Sequence, residues 1–219
     1  ELIGNGQFED ALAVARRALE LAEAKKGADS PDAAKVLADI AGIYLRMERY
    51  EEARAEIARA VAVMEASRGP DSPRLVPLLL RAGVIELRAG DSESAIPSFA
   101  RALQIREQKH GPDHELLVLS LLNLSNAYYA TERFDDATAA IERALTIQEK
   151  TGKISLERTE PILMKIAAHY YNRGKFDDAR RFHESFLRIV ELDAEVESGF
   201  AKGVRSWINF LYDKFPIEG

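Results

Sequence analysis

The 219 residues carry a formal net charge of −6 and a pI near 5.4, which leaves no cationic footprint for nucleic acid or an anionic membrane. The absence of cysteine excludes disulfides, thiolate catalysis and cysteine-held metals, and no apolar run approaches the roughly 20 residues that span a bilayer. A composition 47% hydrophobic and 30% charged, with only eight prolines, fits an ordered helical chain, expected to be soluble and cytoplasmic.

From the N-terminus the sequence repeats itself. "GNGQFEDALAVARRAL" at residues 4–19 returns as "RMERYEEARAEIARAV", "RAGDSESAIPSFARAL", "ATERFDDATAAIERAL" and "NRGKFDDARRFHESFL". A stride of 42 carries Phe8 to Tyr50, Ser92, Phe134 and Phe176, and Ala11 to Ala53, Ala95, Ala137 and Ala179. Further rows run Ala18, Ala60, Ala102, Ala144 and Leu21, Val63, Ile105, Ile147, Ile189. So regular a period selects a stack of small units over one globular core.

The first phrase starts in mid-repeat, with only Leu2 and Ile3 left of what should precede it. The chain therefore reads as a fragment, and an upstream targeting segment stays open. A partial first repeat is expected at residues 1–26, its Leu12, Ala15 and Leu19 stripe uncovered and inviting dimerisation. The unit at 27–68 then supplies the template. Leu37, Ile40, Ala41 and Tyr44 have the i, i+3, i+4, i+7 spacing of one helix face, with Ser30 and Pro31 as start signal. After a short turn at Glu48 and Arg49, a second helix carries Ala53, Ile57, Ala60 and Val61 on its stripe. Alanine at a helix crossing lets the backbones approach closely. The aromatic at Tyr50 opens this helix and can plug the gap between hairpins; Ser92 in its row marks the weakest joint.

Units at 69–110, 111–152 and 153–192 repeat the scheme, with departures at Gly83 and Glu86 and with His183 at a large apolar position. Pro77, Pro97 and Pro161 fall early in helices, where a kink is expected. Residues 193–219 form a capping helix or partial sixth repeat: Val196, Phe200, Val204, Trp207, Ile208 and Leu211 are helically spaced, and Ile208 and Tyr212 keep the stride from Ile40 and Tyr44. Gly199 and Gly203 would admit close approach to the preceding hairpin.

The pattern large-x2-large-small-x2-Tyr followed by Ala-x3-large-x2-Ala, met by Leu37, Ile40, Ala41, Tyr44, Ala53, Ile57 and Ala60, resembles the tetratricopeptide repeat. Leu121, Leu124, Ser125, Tyr128, Ala137, Ile141 and Ala144 match it again. The stride of 42, with "RGPDSP", "HGPDHE" and "NLSNAYYA", is similar to kinesin light chain repeats and those of their bacterial relatives. The resemblance implies an all-α fold, a right-handed superhelical solenoid of antiparallel helix pairs with a C-terminal capping helix.

Little catalytic chemistry is visible. His110 and His114 are four apart, but Gly111 and Pro112 break the helix between them, so no metal is expected. His169 reads as groove or packing material, and the pairs Asp135–Asp136 and Asp177–Asp178 open helices, where carboxylates favour the helix dipole. No phosphate loop, nucleophile elbow or metalloprotease motif occurs, so neither an enzyme nor a cofactor is expected.

Function is then a matter of surface. Positions Ala38, Gly42 and Leu45 point away from the packed stripe, and the tetratricopeptide resemblance implies that they form the inner wall of a groove. Strides of 42 add Leu80, Val84 and Leu87, then Leu122, Asn126 and Tyr129, then Met164, Ala168 and Tyr171. The candidate binding residues on and beside this wall are Arg81, Arg88, Asn123, Asn126, Tyr129, Lys165, Tyr171 and Asn172. Asn can bond a peptide backbone, Tyr can pack its side chains, and Arg or Lys can meet acidic groups. The expected function is a noncatalytic scaffold binding a protein or peptide, with no nucleic acid or membrane partner. A regulatory or oligomerisation module of a larger enzyme or signalling protein is the alternative, and a homodimer through the terminal helices a third reading.

Overall fold

The computed structural model describes residues 5–193 and 198–213. Among these, regular structure is helical throughout, with no strand. The chain gathers into two compact units, Glu1–Gly111 and Pro112–Gly219. The first holds α1 (Asn5–Lys26), α2 (Pro31–Arg46), α3 (Tyr50–Arg68), a 3₁₀ turn (Pro73–Leu75), α4 (Val76–Arg88) and α5 (Ser92–His110). The second holds α6 (Leu117–Ala130), α7 (Phe134–Thr151), α8 (Leu156–Asn172), α9 (Phe176–Leu192) and α10 (Ser198–Asp213). Consecutive helices pack as pairs, α2 on α3, α4 on α5, α6 on α7 and α8 on α9, while α1 packs on α2 and α10 on α9. Helices α3, α5, α7 and α9 begin at Tyr50, Ser92, Phe134 and Phe176, so the sequence stride survives as a stride of structure.

Local chemistry sets the boundaries. Ser30 Oγ accepts from the Ala33 amide at 3.2 Å with Pro31 opening α2, which removes one orphan donor. One stride on, Ser72 accepts from the Arg74 amide at 3.4 Å but caps the 3₁₀ turn, and α4 starts only at Val76. Within every pair the turn has one geometry. Glu48, Gly90, Glu132 and Gly174, each 42 apart, all have positive φ, at 59°, 84°, 60° and 73°. The next residue then donates its amide to the carbonyl five positions back: Arg49 to Tyr44, Asp91 to Glu86, Arg133 to Tyr128 and Lys175 to Tyr170, at 2.8–3.0 Å. This is the Schellman closure, which prefers glycine at the left-handed residue; two repeats tolerate glutamate there.

Side chains repeat with the backbone. Arg49 lies 4.8 Å over the Tyr44 ring, Arg133 4.5 Å over Tyr128 and Lys175 5.8 Å over Tyr170. In the third repeat Glu86 and Asp91 hold these two places, and Arg54 from α3 reaches both carboxylates, at 2.6 and 3.7 Å. The cation has moved from the turn to the neighbouring helix.

The core lies between paired helices, where Ala53, Ala60, Ala95, Ala102, Ala137, Ala144 and Ala179 are all fully buried. The small residue facing them from the first helix varies, with its reason in each case. A Cβ on Gly83 would fall 2.5 Å from the ring of Phe99, which is fully buried, so the glycine makes room for the phenylalanine. Ser125 donates its hydroxyl to the Ala137 carbonyl at 2.7 Å, tying α6 to α7.

Several expectations need correction. The Leu12, Ala15, Leu19 stripe is covered: Leu12 is buried and the other two pack on the first unit's core, while Val14 and Leu21 are large apolar residues of α1 that are exposed. A face turned toward α2 cannot also be the uncovered one. A Cβ on Gly203 would meet open space, so that glycine admits no close approach. Gly199, Val196, Phe200 and Leu211 lie outside the described side chains. Ile208 and Tyr212 are buried as the stride predicts. His183, at its apolar position, is also buried, with Nδ1 2.7 Å from the Tyr212 hydroxyl and the Trp207 ring edge-on at 4.9 Å.

Candidate binding wall

The candidate residues lie on α4, α6 and α8, the first helices of three of the pairs. In the first unit these are Arg81 and Arg88 of α4. Arg81 is already engaged: its guanidinium donates to the Ala38 carbonyl of α2 and lies 3.5 Å from Asp39. Gly42 permits this, because a Cβ there would stand 3.0 Å from the guanidinium nitrogen. Arg88, at the end of α4, is exposed. Leu45 and Leu80 from the expected wall are partly buried against the unit's core.

In the second unit α6 supplies Asn123, Asn126 and Tyr129, and α8 supplies Lys165, Tyr171 and Asn172. The three α6 side chains and Tyr171 are half-buried; Lys165 and Asn172 are exposed. Lys165 donates to Asn126 Oδ1 at 3.2 Å. It occupies the row of Arg81 and, like Arg81, reaches back to the preceding first helix. Tyr129 meets Phe134 edge-on at 5.4 Å, and Tyr171 meets Phe176 at 5.2 Å, so both rings are braced by the aromatic that opens the paired helix. Leu122, expected on the wall, is buried and belongs to the core.

Beside Tyr129 the turns of the two pairs enclose a cavity of about 390 Å³ whose lining includes Phe134, His169, Arg173 and Lys175. His169 stacks on Phe134 with ring centres 3.6 Å apart. Burial first, then the nearby Arg173 and Lys175 charges, hold its imidazole below the ordinary histidine pKa. The ring is therefore a neutral aromatic surface at pH 7, flanked by cations. Arg173 and Lys175 are not among the sequence candidates, although Arg173 stands one helical turn beyond His169 and that spacing is legible in the sequence.

Among the described residues no three His, Cys, Asp or Glu side chains converge to hold a metal ion. No helix there is long and apolar enough to cross a membrane.

Comparison with known proteins agrees with the helical-pair fold. The tetratricopeptide repeat family matches residues 2–66, 32–108 and 75–150. No curated protein matches the chain. Among solved structures, BtubC (BKLC) from P. vanneervenii is 21% identical, with a TM-score of 0.72 over 93% of this chain and 75% of its own. A putative kinesin light chain from Podosopora anserina with nearly identical TPR-like repeats is 18% identical, with a TM-score of 0.68 over 84% and 88%. YrrB, described as a TPR protein with an unusual peptide-binding site, is 14% identical, with a TM-score of 0.55 over 92% and 84%. At these identities the likeness is one of fold. The family match spans more than half the sequence and coincides with the helix pairs and their 42-residue stride: this chain belongs to the tetratricopeptide repeat family.

Proposed function

We propose that the chain is a noncatalytic scaffold segment whose first helices α6 and α8, in the second unit, bind an extended peptide or protein segment. One observation carries this reading: α6, "LVLSLLNLSNAYYA", contains no charged residue, yet Asn123, Asn126 and Tyr129 are only half-buried. A helix face left to water alone usually carries Lys or Glu. Half-exposed amides and rings suit a peptide, whose backbone the amides bond and whose side chains the rings cover. Lys165 stands next to them as the cation for an acidic group. YrrB, with the same fold, is described as binding peptide.

The test uses peptides selected by display against the immobilised chain. Asn123→Ala with Asn126→Ala should weaken a selected peptide about tenfold or more, roughly 1.4 kcal/mol, with the urea midpoint unchanged. Lys165→Glu should reverse a preference for acidic peptides. Affinities untouched by both variants contradict the proposal.

A further inference from the structure

The first unit holds a second cavity, of about 430 Å³, between the second helices α3 and α5 and floored by α4. Its cause can be read along the repeat rows. Ile40, Leu124, Ile166 and Ile208 are buried large side chains 42 or 84 apart; the same row places Ala82 in the floor of the cavity. Tyr44, Tyr128, Tyr170 and Tyr212 form the tyrosine row, and Glu86 replaces the ring here. The α3 side of the cavity includes Ala58 and Ala62; their rows carry Arg16, Ala100, Glu142 and Glu184, and Glu20, Gln104, Thr146 and Arg188, in the other repeats. Two losses in the floor and two small residues in the wall coincide at one joint.

The other repeats show what such a space accommodates. Tyr44 points its ring at the neighbouring second helix, where Arg16 of α1 donates to its hydroxyl at 2.7 Å. Tyr170 does the same toward α7, its hydroxyl 3.2 Å from Thr138 Oγ1. In the third repeat the tyrosine row supplies no ring, and the repeat's own Phe99 ring packs under Gly83. The charges around the cavity are already balanced: Arg54 pairs with Glu86 at 2.6 Å, and Arg101 pairs with Glu65. A charged occupant would leave one of these groups uncompensated in a part-buried setting, whereas a neutral ring would not. Apolar walls with a few polar groups at the edge are the usual make-up of a small-ligand pocket, and the volume lies within the usual range.

We propose that this cavity is a binding site for a neutral aromatic side chain presented by a partner protein, which supplies from outside the ring missing from the tyrosine row at Glu86. The site is separate from the wall of first helices and does not depend on it.

The experiment is a titration of the full chain with p-cresol, the tyrosine side-chain analogue, followed by amide chemical shifts. Saturable shifts in α3, α4 and α5 are expected, with Kd on the order of 1 mM for so small a ligand. Ala82→Ile and Glu86→Tyr each restore the residue that sibling repeats carry and fill the cavity from within. Each should weaken p-cresol at least about tenfold while the far-UV helical signal is kept. Arg54 retains Glu51 at 2.8 Å and Asp91 when Glu86 is replaced, so the second variant remains informative if the first misfolds. Absence of saturable shifts, or shifts that persist unchanged in a folded filled variant, overturns the proposal.

Discussion

Gly83 and Phe99 are a matched pair across the α4–α5 crossing, and neither residue makes sense alone. Gly83→Ala forces its methyl against the ring at 2.5 Å, an overpacking expected to cost about 1–3 kcal/mol. Adding Phe99→Ile, the residue of the preceding repeat at Ile57, should recover most of that loss; a double-mutant cycle from urea unfolding measures the coupling. The left-handed turn residue gives a prediction of the opposite sign. Glu132→Gly relieves a φ of 60° and should stabilise by about 0.5–1 kcal/mol, while Gly174→Ala should destabilise by a similar amount. The Ser30 cap was legible from the sequence because it is local: a hydroxyl, a proline and the start of a stripe lie within a few residues. Gly83 appeared only as a departure from pattern, since the ring that explains it lies sixteen positions away. Ala82 passed unnoticed, although a stride from Ile40 reaches it, because an alanine on an apolar stripe raises no alarm until the neighbours are in place.

Helices and their joints carry the next set of consequences. At the α9–α10 joint, burial pushes the His183 pKa down to about 4 and the Tyr212 hydroxyl up to about 12, so both groups are neutral when hydrogen-bonded. Tyr171 of α8 and Arg180 and Glu184 of α9 are the other titratable or charged groups near the pair. The folded pKa of His183 lies below the ordinary value of 6.5, so the unfolded chain binds the extra proton between those two pH values. Stability from this group is therefore full above about pH 6.5 and falls as pH drops toward 4, by an amount on the order of 3 kcal/mol. Urea unfolding at pH 7.5 and 4.5 should show that part of the loss disappearing in His183→Phe. An equal pH dependence in both proteins contradicts the assignment. The sequence placed a helix at the C-terminus and gave Ile208 and Tyr212 the right side, because period alone decides which residues face inward. It could not assign a neighbour to α1. The Leu12 stripe is apolar in either case, and whether α2 covers it depends on tertiary packing that spacing does not encode.

At the scale of the whole chain, a single stride orders backbone turns, tyrosine–cation pairs and buried alanines alike, and that is why the family could be recognised from rows of residues. Binding chemistry follows a different logic. Packing constrains the rows that face a neighbour, whereas the outward rows are under no such constraint, so the sequence nominates wall positions without saying which are occupied by internal partners. Arg81 is the clearest case: it stood out as a cation for a ligand, and Gly42 lets it lie on the Ala38 carbonyl and beside Asp39. Lys165 of the same row is exposed and, with the half-buried Asn pair of α6, forms the second unit's part of the proposed wall. The most direct measurement is the amide chemical-shift footprint of a display-selected peptide on the intact chain. The account predicts perturbations concentrated at Asn123, Asn126, Tyr129 and Lys165 on first helices; a footprint confined to the second helices α7 and α9, with α6 and α8 undisturbed, would contradict it.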